Sequence, residues 1–472
     1  MKRILCALFF LQILFVHAQT KLASHKLELR KSEIHFQIMN AVDPARQDVY
    51  VFAADRETIH AHRYNSALFL TDSLSLERPE RKYELMAGYS ISSDGVPEVY
   101  WSDIDMQKMM AVRYPFDKKP SSIITYDFKH ATETVLGSFS GNNSFYFITI
   151  SDTEPELNIY AFHDGKHEKR TIDFADYKFM DGLSGTRTLK FIVNKDPLKL
   201  IDNRVLNPLF VGTSESKMYA NGNHLVLTFD QNPSLTQVFD INLDSYQMAA
   251  KSIAQPLTQN VRDGNSFVNN GKLYQVSRNN NTLVLAATDL QSGTRTKSYT
   301  MMAGQDYAFK NSPLMSQTGN LLPRQLKNTE KFLNRLAESE LGVSVYKAPD
   351  YTLVTVGGVR FVPSTGSTLL GVAAGVGVVL AGGYDSPDIE IENDRLQSIY
   401  FESLFDDNFE HRTIEQSRLA GDYIGQFLAE HDEVSLENVF KFKDYFIMGY
   451  YDSKAKEYVM RKFVDETFFG RF

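Results

Sequence analysis

Short apolar runs separated by polar turns recur along the chain, and they fall into groups of four. In one group residues 135–140 lead through Gly141-Asn142-Asn143 into 144–150, followed by 156–162 and 169–174. The same order is found at 89–92, 98–102, 108–114 and 122–128, with Ser93-Asp94-Gly95 after the first run. It returns at 217–220, 224–229, 236–243 and 248–253 around Asn221-Gly222-Asn223, and at 266–268, 272–277, 282–290 and 296–301 around Asn269-Asn270-Gly271. Gly and Asn tolerate the positive φ that tight hairpins demand, so the turns are alike while the strands vary. Partial copies at 34–39, 49–54 and 58–64, and at 438–442, 445–451 and 457–463, bracket these four. Second runs such as VYVFAA, FYFITI and LVLTF are apolar at successive rather than alternate positions, the mark of strands covered on both faces.

Four antiparallel strands repeated at intervals of about 45 to 50 residues is the pattern of a propeller blade, and over roughly two thirds of its length the chain resembles β-propellers in general. No Trp-Asp dipeptide closes the blades and no kelch-type diglycine series is present, so the resemblance implies an all-β fold and no particular activity. The expectation is a β-propeller of about seven four-stranded antiparallel blades, within a range of six to eight. Six groups are given above; the seventh is placed between 343 and 412, with strands at 343–347, 351–361 and 398–405 and a fragment of the fourth at 409–412. The last group lacks a fourth run, so an N-terminal run at 26–30 is expected to complete it and close the ring. Residues 19–472 then form a single propeller domain with insertions at about 175–215, 302–342, 362–394 and 413–434.

Two of these insertions read as short helices. In 328–340 Phe332, Leu333, Leu336 and Ala337 share a face, and in 413–429 Thr413 with Gln416 reads as a capping box ahead of a buried stripe. The first insertion is a long connection with room for a degenerate blade.

Composition narrows the setting. Lys2 and Arg3, an apolar stretch over 4–16 and the small-residue pattern Val16-His17-Ala18 read as a cleaved signal peptide over 1–18, too short for a usual membrane span. Export then ends in the periplasm, at an outer membrane or outside the cell. Cys6, the single cysteine, lies inside this segment, so no disulfide staples the exported chain and its stability must come from a core. Losing Lys2 and Arg3 leaves 48 Lys+Arg against 58 Asp+Glu, a balance of −10 with no basic run, which excludes nucleic acid as an expected partner. A protein or polysaccharide partner is expected instead; the oligomeric state is not legible.

The most unusual stretch is 367–383, STLLGVAAGVGVVLAGG, which holds no charge and contains Gly371-x-x-x-Gly375. Its readings are a buried hairpin or helix, an oligomer contact, or contact with a membrane, made in either of the last two cases by Leu369, Leu370, Val372, Val376, Val378, Val379 and Leu380. As a helix it would span about 25 Å, short of a bilayer core of about 30 Å. Immediately after it, Asp388, Glu390, Glu392 and Asp394 alternate with apolar residues, which suits a wet strand face; as hard oxygen ligands they are also weak candidates for Ca²⁺. No other cofactor is indicated.

His60 and His62 alternate on one strand, as a half-exposed pair or two ligands of an incomplete metal site. Asp55, Asp103, Asp152, Asp230 and Asp452 close second strands, a position explained by side-chain bonds to the turn backbone. Gly137-Ser-Phe-Ser-Gly141 has Phe139 where a nucleophile elbow needs serine, and H-E-x-x-H, the P-loop and G-x-G-x-x-G are absent. Motif absence points away from catalysis. The leading expectation is an exported binding or assembly module, associated with a membrane through 367–383; the alternative is a secreted enzyme acting on carbohydrate or peptide polymers in an axial pocket. An outer-membrane barrel fits less well, because its strands alternate over about 10 residues.

Overall fold

The computed structural model describes residues 19–30, 35–117, 120–127, 130–182, 185–319, 321–362 and 395–467. Seven antiparallel sheets follow one another as blades I to VII. Blade I is Gln37–Val42, Val49–Ala54, Thr58–Tyr64 and Leu70–Glu77; blade II is Leu85–Ile91, Pro97–Ser102, Met109–Arg113 and Ser122–Thr125. Blade III is Glu133–Gly141, Ser144–Ser151, Glu156–His163 and Lys166–Asp173. Blade IV is Ser216–Asn221, His224–Phe229, Leu235–Asn242 and Met248–Ala254; blade V is Asp263–Asn269, Lys272–Arg278, Thr282–Asp289 and Arg295–Met302. Consecutive strands pair in each, so the first strand lies innermost and the fourth outermost.

Second strands are buried at every position in VYVFAA and SFYFITIS, because each blade packs both faces against its neighbours. The hydrophobic clusters accordingly lie between blades. Tyr50, Phe52, Trp101 and Tyr114 fill the seam of blades I and II, while Tyr100, Phe145, Phe147 and Phe162 fill that of II and III. A fully buried side chain of this size contributes about 1.5–3 kcal/mol, so the seams account for stability without disulfides. The inner hairpins turn through Asn142, Asn143 and Gly222 at positive φ (48°, 56° and 58°), as the recurrent Gly and Asn require.

The ring closes at blade VII, Val434–Phe442, Tyr445–Asp452 and Glu457–Phe463, whose outer strand is Gln19–Lys26. Pairing runs from Gln19 opposite Phe463 to Lys26 opposite Glu457. Closure by an N-terminal run is as expected, but the run ends where it was expected to begin. The polar alternation of QTKLASHK, an outer strand with one wet face, hides it from a search for apolar runs.

Blade VI corrects a second expectation. Glu340–Lys347, Thr352–Phe361 and Leu396–Phe405 form its first three strands, but the fourth is Met315–Thr318, with Arg324–Gln325 outside it. Residues 409–412 contribute only the bridge Phe405 to His411. The chain lays down the outer strands before the inner ones, an order that reading strands in sequence cannot anticipate.

Four helices are found among the described residues: α1 Leu189–Lys195, α2 Leu209–Gly212, α3 Thr329–Leu336 and α4 Ala420–Glu430. α3 is the expected one, capped by Asn328, whose side chain accepts from Lys331 N–H, with Phe332, Leu333 and Leu336 buried. α4 begins six residues later than the Thr413 capping box implied, with Leu419 at its N-cap. The carboxylates fix its start: Leu419 N–H donates to Asp422 (2.8 Å) and Ala420 N–H to Asp465 (2.8 Å). Its apolar face fills the gap between blades VI and VII beside Tyr351, Met448 and Phe463.

Candidate functional site

The connection between blades III and IV decides what a ligand can reach. It forms a hairpin of Phe179–Asp181 and Gly185–Arg187, then α1, then Lys199–Ile201, which pairs in parallel with the innermost strand of blade IV, register Leu200 to Met218. The described residues of this connection form no blade of their own. A strand inside the innermost strand lies toward the axis. From it residues 202–215 turn back through α2 along the inner strands of blades V and VI. Asn269 donates to Asn203 O (3.0 Å), Ser344 to Asn207 O (2.7 Å), and Asn265 to Thr213 O (2.9 Å). Gly212 and Gly342 allow this approach: a Cβ on Gly212 would lie 2.5 Å from Val343 O, and one on Gly342 2.6 Å from the Thr213 methyl. Across the ring, the charges of Arg204 and Asp202 act on Tyr89 of the blade II inner strand. Residues 199–215 therefore run along the axial side of blades IV, V and VI.

The polar residues of this segment continue into a buried network. Lys217, fully buried, donates to Asn265 (2.6 Å) and stands 3.5 Å from Asp230. Asp230 accepts from Thr236 (2.7 Å) in its own blade and from Ser266 N–H (3.0 Å) and Oγ (2.8 Å) in blade V. Burial pulls the Lys217 ammonium below its ordinary pKa, against the attraction of Asp230 and Asp196. This network knits three blades and the axial segment together.

One edge of it meets solvent. On the face where first strands begin and second strands end, Glu215 precedes Ser216 and Asp230 follows Phe229, while Gln231 donates to Asp196 (3.4 Å). Glu215 is exposed, yet the protein packed around its carboxyl strips part of its hydration. This desolvation, with the charges of Asp196 and Asp230, pushes its carboxyl up to about 7. Asp196 is raised too, by desolvation first. No sequence motif marks this group, because its members come from a connection, a strand end and a turn. Elsewhere an open groove of about 490 Å³ lies between blades IV and V beside Lys251, Ala254, Thr288 and Arg295.

Among the residues singled out from sequence, Leu369, Leu370, Val372, Val376, Val378, Val379 and Leu380 lie outside the described residues, as do Asp388, Glu390, Glu392 and Asp394. What is described is their root: Phe361 pairs with Leu396, and Val362 N–H donates to Arg395 O (2.9 Å). His60 and His62 do not form a half-exposed pair. His60 bonds Ser75 (2.8 Å), whereas His62 is buried at the seam of blades VII and I, its ring 4.8 Å from that of His25. Among the described residues no group of three or more His, Cys, Asp or Glu is placed to hold a metal ion. Asp55 accepts from Glu57 and Thr58 N–H, and Asp452 from Ala455 N–H, as turn residues should. Asp230 departs from that pattern by crossing the seam.

The seven-bladed topology defines the protein as a β-propeller. No family model and no curated protein matches the chain. Among solved structures it is similar to the Dos1 propeller (8% identity, TM-score 0.31, covering 93% of this chain and 82% of that one). It is also similar to a prolyl endopeptidase (8%, TM-score 0.30, covering 89% and 48%) and to a cobalt-substituted Synechocystis apocarotenoid oxygenase (8%, TM-score 0.28, covering 58% and 62%). The chain thus spans less than two thirds of the length of that oxygenase. At these values the likeness carries no function, and the fold rests on the blade topology.

Proposed function

We propose that the protein is an exported β-propeller acting as a non-catalytic binding or assembly module, associated with a membrane through the uncharged stretch 367–383. The observation that supports the module reading is the course of residues 199–215, which run along the axial side of blades IV, V and VI, where a propeller would otherwise leave its inner strands open to a substrate. Recognition then falls to the loops and rims, which vary freely while the seams hold the ring. The test is fractionation. The full-length protein is expected with membranes and a variant lacking 366–383 in the soluble fraction; identical behaviour of both forms removes the membrane part. Incubated with polysaccharides and unfolded peptides, the purified protein is expected to release no product, and turnover would remove the non-catalytic part.

A second reading, an enzyme acting on carbohydrate or peptide polymers, is favoured only by Glu215. A carboxyl with a pKa near 7 beside ionisable Asp196 and Asp230 resembles the acid and base of glycoside hydrolysis. It requires polymer cleavage that Glu215→Gln abolishes.

A further inference from the structure

We propose that the closing strand Gln19–Lys26 is an acid-released latch: protonation of His62 frees it from blade VII and opens the ring at the seam of blades VII and I, while the other blades stay folded. The strand is held on one side only. Its ladder runs to Glu457–Phe463, and the exposed Lys21 and Lys26 pair with Glu457 (3.6 and 3.4 Å). Toward the seam it presents Leu22 and Ala23, which pack against the cluster of Val51, Tyr64, Tyr458 and Met460. The chain is anchored again directly after it: Leu27 N–H donates to Lys456 O (3.0 Å) and Arg30 N–H to Asp55 (2.9 Å). Release therefore ends at Lys26, and the first strand of blade I keeps its place.

His62 lies beneath this strand. It is 2% exposed, neither ring nitrogen has a hydrogen-bond partner among the described residues, and the ring meets that of His25 edge-on at 4.8 Å. A base so placed takes a proton only by burying an unpaired charge or by reaching water. The charged groups around it offer no relief. His25 faces it from the closing strand and His60 from its own strand, and both disfavour a further positive charge. The charges of Asp55 and Arg30 act on His60, which bonds Ser75 of the fourth strand, while Arg63 is paired with Asp48 (2.7 Å) and Asp72 (3.7 Å). From blade VII, Tyr458 donates its proton to Asn40 (2.7 Å). Burial first, then the two histidines, hold the His62 pKa at about 4. Lifting the closing strand removes His25 and admits water in one step, so the ring is charged by a local opening of an outer strand rather than by unfolding of the blades.

Amide exchange of the purified protein at pH 7.5 and pH 4.5, each rate referred to its intrinsic value at that pH, tests this. Protection of residues 20–26 is expected to fall on the order of 100-fold on acidification, the factor by which a base of pKa 6.5 when open and about 4 when closed shifts the opening equilibrium. The second strands of blades III and V are expected to keep their protection. His62→Gln removes the titrating group and is expected to abolish the fall in 20–26. A fall of the same size in His62→Gln overturns the proposal, and so does wild-type protection of 20–26 that is equal at the two pH values. Loss of protection in every blade together overturns it from the wild-type protein alone, because His62 would then set global stability and not a local release. Glu457→Gln separates the ion pairs from the histidine. It is expected to lower protection of 20–26 at both pH values and to leave the pH dependence in place; a dependence that disappears with Glu457 overturns the latch.

Discussion

His62 is a buried base with no partner to accept its charge, and it sits where the ring is joined. Desolvation, with the charges of His25 and His60, pulls its pKa from 6.5 to about 4. The folded state therefore favours the neutral ring. Its contribution is complete above the unfolded pKa near 6.5 and is lost as pH falls toward 4, by about 3 kcal/mol in total. His62→Gln is expected to flatten the difference in urea midpoint between pH 7.5 and pH 4.5 relative to wild type; equal pH dependence of the two would refute this. Lys217 presents the opposite case, a buried charge with a partner. Lys217→Met leaves Asp230 without its cation and is expected to cost about 3–5 kcal/mol in urea denaturation, whereas Lys217→Met/Asp230→Asn costs less than the two single changes together. Strict additivity would show that the pair does not interact.

Elements owe their positions to different causes, and that decided which were readable. Second strands are apolar throughout because both faces are covered, so VYVFAA and SFYFITIS stood out. Outer strands keep one face wet, and Gln19–Lys26, Leu70–Glu77 and Met315–Thr318 passed as loop or were misplaced. The start of α4 depends on Asp465, 45 residues away, which no local capping pattern reports. Removing Gln19–Lys26 would strip the strand Glu457–Phe463 of its outer partner and leave an open sheet edge. The shortened protein is expected to melt earlier and to associate with rising concentration in light scattering; a monomer of unchanged melting temperature would show that closure is dispensable.

For the whole molecule the axial segment is the feature with most consequence. Gly212→Val would drive a side chain into Val343 O and is expected to dislodge 202–215 while the blade seams hold. Amide exchange would then accelerate in that segment and stay slow in blades I to III; uniform protection would show that the segment is not held by this fit. The sequence by itself determined the repeat and the class of fold, because strand length, turn residues and apolar runs are local properties of the chain. Only the tertiary structure decided that residues 199–215 run along the inner strands of blades IV, V and VI, and that the charges of Asp196 and Asp230 reach Glu215. Those are distances between residues far apart in sequence, set by how seven sheets close on one another.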